Sequence, residues 1–153
     1  MQTKLTTKKP DLLKPTLIFS AVGFFIPGFT AIGLIGFQML LSFLGFKCHN
    51  AWTILWTITI LGSLTLPILF YRHIKKLTEK KLGNLKTLLT FFNLIEYTFI
   101  QASLAIFFTN GQTLCYVSAG QNGLELVFTA WLALPILIGF SLIFGRALKT
   151  KYD

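Results

Sequence analysis

Four long apolar runs separated by short polar clusters make up most of the chain: Leu17 to Phe46, Ala51 to Tyr71, Leu85 to Phe108 and Leu124 to Ala147. A helix rising about 1.5 Å per residue needs roughly 20 residues to cross a hydrocarbon core about 30 Å thick, and each run is long enough. The pattern predicts an all-α integral membrane four-helix bundle, with spans over 17–46, 51–71, 85–108 and 124–147 in a single domain covering 1–153. The first run contains Gly23, Pro27, Gly28, Gly33 and Gly36. It is expected to form one tilted, kinked helix, and a broken helix with a re-entrant piece is the alternative. The run continues well past the apolar core of about 7–15 residues in a cleavable signal, so it is expected to stay attached.

The polar clusters between the runs are basic on one side only. Lys4, Lys8, Lys9 and Lys14 precede the first run, and Arg72, Lys75, Lys76, Lys80, Lys81 and Lys86 lie between the second and third. Arg146, Lys149 and Lys151 follow the fourth run, which leaves Lys47 as the single cation in the connections of the opposite side. Basic residues accumulate in cytoplasmic segments, so both termini and the 72–86 loop are expected in the cytoplasm, with the chain in the plasma or inner membrane. The loop also has the composition that attracts anionic lipid, although orientation alone accounts for it. Trp52, Trp56 and Tyr71 are expected at the membrane interfaces, where amphipathic rings are favoured.

Composition agrees with this reading. The 153 residues are 54% hydrophobic and 12% charged, with a mean hydropathy of +0.68. The net charge of +9 does not indicate nucleic acid, because the cations lie between apolar runs and not on one face of a soluble domain. No G-x-x-x-G spacing occurs, so a glycine-driven dimer is not indicated.

On the expected orientation, Cys48 and Cys115 both lie on the extracytoplasmic side. In an oxidising compartment they are candidates for one disulfide, the alternative being two unrelated small residues at helix ends. Cys48, His49 and Cys115 also offer three metal-ligand types, but there is no C-x-x-C and no second histidine on that side, so no metal site and no cofactor is expected. The polar connection around Gly111, Gly120 and Gly123 is the candidate external contact surface.

Glu96 stands amid phenylalanine, leucine and isoleucine, about 16 Å from Leu85 along a helix and so near mid-membrane. Asn93, Glu96, Ser103 and Asn110 recur at helical spacing and define a polar stripe. Every lysine and arginine lies at an end of a run or outside it, which leaves Gln38, Asn93 and Gln101 as polar partners on offer. A carboxyl so placed is expected to face other helices, to hold a proton part of the time and to donate a hydrogen bond. Two roles follow from this: a proton or cation site in a small transporter, or interhelical glue.

The string Asn93-x-x-Glu96-Tyr97 resembles a motif of the small four-span membrane enzymes of eicosanoid and glutathione metabolism, though Leu89 occupies the place of their arginine. Size and span number are similar to those of the small multidrug-resistance transporters, whose glutamate is in their first helix. Four spans, two cytoplasmic ends and a basic inner loop resemble the immunity proteins against pore-forming colicins, a likeness that implies association with another membrane protein. No nucleophile–base pair, phosphate loop or paired carboxylates are visible, so an enzyme is not the expectation. The leading expectation is a protein that binds within the bilayer, as an accessory subunit or immunity-type inhibitor of another membrane protein or in contact with itself. The rival is a proton-coupled small-molecule transporter using Glu96.

Overall fold

A computed structural model describes residues 11–77, 83–110, 114–115 and 124–152, with side chains placed for 127–150 of the last segment. Lys4, Lys8, Lys9, Lys80, Lys81 and most of the 109–123 connection lie outside the described residues. Among the described residues the long helices are α1 (Leu13–Phe25), α2 (Ala31–Phe43), α3 (Cys48–Lys76), α4 (Leu85–Ala105) and α5 (Leu124–Tyr152). Three of them, α3, α4 and α5, are long and apolar enough to cross a membrane.

The single kinked helix expected over 17–46 is two helices of 13 residues each. Pro27 carries no amide hydrogen and pushes the residue before it out of the helical region; Ile26 accordingly adopts φ −124° and ψ 66°. Gly28 follows at φ +72°, and a Cβ there would also sit 3.2 Å from the Val127 side chain, so glycine fits on both counts. At about 20 Å apiece, neither α1 nor α2 crosses a bilayer alone.

The break moves the chain from one groove to another. α1 packs between α4 and α5, whereas α2 packs on α3 and the far end of α4. Hence α1, the break and α2 run parallel to α4, covering its two halves on different sides.

Side-chain clusters fix the two ends of the bundle. At one end Leu12, Phe70, Ile74, Leu85, Phe92, Phe144 and Leu148 meet, bringing together the start of α1, the end of α3, the start of α4 and the end of α5. Phe70 stacks on Phe92 at 4.5 Å and lies 4.9 Å from Phe144. Lys14, Arg72, Lys75, Lys76, Lys86, Arg146 and Lys149 therefore gather at this basic end. Lys75 rests 4.6 Å over the Tyr71 ring. At the opposite end Ala31, Leu34, Trp52, Leu55, Trp56, Ala102 and Ala105 form the core.

A disulfide links Cys48 and Cys115 at that end, with Cα atoms 6.0 Å apart across a sequence separation of 67. Closing such a loop is worth about 4 kcal/mol for a freely coiling chain, and less for one already confined by a bilayer. Trp52 and Trp56 are both buried, 6.0 Å apart, against α2 and α4. They supply the bulk that fills the space beside the small residues Ala102 and Ala105.

Lipid tails are as apolar as leucine, so close packing replaces water exclusion as the source of helix association. Gly62 shows this most sharply, since a Cβ added there would overlap the Phe99 ring of α4. The hydroxyls of Thr53, Thr57 and Thr65 turn back onto carbonyls of their own helix instead of bridging. We expect Gly62→Ala to destabilise the protein by about 1–3 kcal/mol in detergent thermal unfolding, as over-packing does. Gly139→Ala, where nothing lies within 4 Å, is expected to stabilise it by about 0.5–1 kcal/mol.

Candidate functional site

Lipid makes the polar groups of the interior accountable one by one, and most of them serve the broken helix. The Thr16 hydroxyl donates to the Leu12 carbonyl at 3.2 Å, and the Ser141 hydroxyl donates to the same oxygen at 2.8 Å. Because the Thr16 hydrogen is committed, its oxygen accepts, and Asn93 Nδ2 donates to it at 3.0 Å. One turn further along α4, the Tyr97 hydroxyl accepts from the Gly28 amide at 3.4 Å. Tyr97 also stacks on Phe29 at 5.3 Å and meets Phe19 edge-on. One turn beyond that, the Gln101 carbonyl oxygen accepts from the Thr30 hydroxyl. From α5, Trp131 Nε1 donates to the Phe24 carbonyl at 3.1 Å, satisfying an acceptor that the break releases.

Asn93, Tyr97 and Gln101 thus form a row at i, i+4 and i+8 that holds α1, the break and α2 in place. The expected stripe of Asn93, Glu96, Ser103 and Asn110 shares only its first member with this row. Ser103 instead bonds its own helix at Phe99 and approaches Ser63 of α3 at 3.5 Å. Gln38, expected as a partner for the glutamate, lies at the disulfide end, where its amide donates to Ser42 and to Cys48 Sγ.

Glu96 precedes Tyr97 by one residue and therefore points about 100° away from the row. Its side chain is 0% exposed, and neither carboxyl oxygen has a hydrogen-bond partner. Asn93 Oδ1 and Ser20 Oγ are also buried without partners. The contacts Thr16–Asn93 and Gly23–Tyr97 bracket Ser20 at the depth of Glu96. The buried polar residues among those described include no lysine or arginine. Of these atoms the oxygens of an ionised Glu96 and of the neutral Asn93 amide can only accept, whereas the Ser20 hydroxyl can also donate. A proton on the carboxyl or a small cation is the chemistry that would satisfy the acceptors.

Interhelical glue would bond across helices, and Glu96 does not. Asn93, Tyr97 and Gln101 do that work, and the glutamate is left over. The sulfurs of Cys48 and Cys115 are joined to each other, so neither is a thiolate ligand. Sequence reasoning missed Thr16, Tyr97, Thr30 and Trp131 because each is a common residue in an apolar run. The four-residue spacing of Asn93, Tyr97 and Gln101 was the available signal.

No protein family, no characterised protein and no solved structure matches this chain.

An unpartnered buried carboxyl is a standing loss of stability, and replacing it with an apolar side chain of similar length removes that loss. Glu96→Met is expected to raise stability by about 1–3 kcal/mol, read as a higher midpoint in thermal unfolding of the detergent-purified protein.

Proposed function

We propose that this is a four-crossing protein of the plasma or inner membrane, with both termini in the cytoplasm. In this reading it acts by associating with another membrane protein within the bilayer, as an accessory subunit or an immunity-type inhibitor. α1 and α2 together supply the fourth crossing, since they follow α4 from the basic end to the disulfide end. The gathering of cations at one end supports the orientation, as cytoplasmic segments carry such an excess. A disulfide at the other end supports it too, because that bond belongs in an oxidising compartment.

The observation that carries the association reading is the outward face of α2. Ile32 is 79% and Phe43 87% exposed, and between them nothing lies within 4 Å of the Cβ positions of Gly33 and Gly36. Two glycines one turn apart make a notch into which a second helix can settle closely. A photo-crosslinking residue at Gly36, activated in native membranes, is expected to capture a distinct polypeptide. The same probe at Ile143, on the exposed side of α5, is expected to capture lipid only. Equal yields at the two positions count against the reading.

A second reading, a proton-coupled small-molecule transporter, is favoured by the partnerless carboxyl of Glu96. It requires proton flux into proteoliposomes that disappears in Glu96→Gln. Identical flux in the two proteins removes it.

A further inference from the structure

α2 covers only the disulfide half of α3 and α4, so among the described residues the outer side of α4 lies bare between α3 and α1 at the basic end. Two hollows result. One, of about 630 Å³, runs against the end of α3, with Leu77 and Leu88 in its walls. The other, of about 550 Å³, runs against the start of α1, with Ile18, Lys14 and Lys86 around it. Both are bounded by Thr87 and Phe91. They are the two arms of one forked groove, and Phe91, 59% exposed, is the ridge between them.

Charge at the mouth of this groove is specific. Lys14 and Lys86 are each the second residue of a helix, and both border the same arm of the groove. Asp11 borders the same arm, but its carboxylate oxygen accepts from the Leu13 and Lys14 amides and so serves the start of α1. The first turn of α4 has neither an acidic residue nor a side-chain cap. Its positive dipole end therefore adds to the two ammonium groups in favouring an anion. Among the described residues, two lysines against one aspartate leave a single net positive charge beside this arm.

We propose that this groove binds one anionic diacyl phospholipid with a singly charged headgroup. Its phosphate sits between Lys14 and Lys86 at the start of α4, and its two acyl chains descend on either side of Phe91. A zwitterionic lipid fits the arms equally well but brings a second cation toward the lysines, so the headgroup decides the preference. The groove is separate from the notch on α2 and from Glu96, and the inference depends on neither functional reading.

The test uses the full chain reconstituted into bilayers of phosphatidylcholine and phosphatidylglycerol, extracted gently and examined by native mass spectrometry. The wild type is expected to retain one phosphatidylglycerol in preference to phosphatidylcholine. Lys14→Gln with Lys86→Gln is expected to lower that retention roughly fivefold per lysine, whereas Arg146→Gln with Lys149→Gln, at the same end but away from the groove, leaves it unchanged. Thr90→Trp keeps every charge and fills the arm beside Lys14, so it is expected to expel the lipid. Equal loss in both charge-removing pairs would mean diffuse surface attraction and overturn the proposal. So would retention that survives Thr90→Trp, or equal retention of phosphatidylcholine by the wild type.

Discussion

A backbone that leaves its helix within an apolar interior must find new partners for the groups it frees, and this requirement organises the fold. Each unsatisfied amide or carbonyl costs several kcal/mol in hydrocarbon. A satisfied hydrogen bond returns only about 1 kcal/mol net. The asymmetry means that a break is tolerated only where neighbours are already in position. Around Pro27 and Gly28 the neighbours are Trp131, Tyr97 and Gln101, reaching from α5 and α4 to Phe24, Gly28 and Thr30. The places of α1 and α2 are consequently set by residues about 70 to 107 positions away in sequence.

The three long helices were legible from the sequence because their cause is local: a continuous apolar run of membrane length predicts a span wherever it occurs. Their ends were less so. α3 continues past Tyr71 to Lys76 and α5 past Ala147 to Tyr152, since a helix already formed extends readily into its flanking lysines, whose long stems reach water. Pro27 and Gly28 were visible as a weak point in the first run, yet whether a proline bends or breaks a helix depends on what surrounds it. The polar row failed for a related reason. Asn93 is equally compatible with Glu96 at i+3 and Tyr97 at i+4, and only the path of α1 across α4 selects the second. That Trp52 and Trp56 pack inward beside Ala102 and Ala105 of α4 was likewise not legible, because it depends on which helix lies opposite.

Glu96 stands furthest from this economy of satisfied groups. It stands one residue from the row that holds the break, close enough to share in that network, and takes no part in it. Among the described residues it is the buried side chain that leaves two polar atoms without a partner, where Asn93 leaves one and bonds Thr16 with the other.

The stitch from Trp131 to Phe24 also sets the timetable of assembly. Ribosomes work from the amino end, so Phe24 is made more than a hundred residues before the indole that completes its hydrogen bond. During that interval the carbonyl lacks its final mate, and docking of α1 against α5 belongs to the later part of folding.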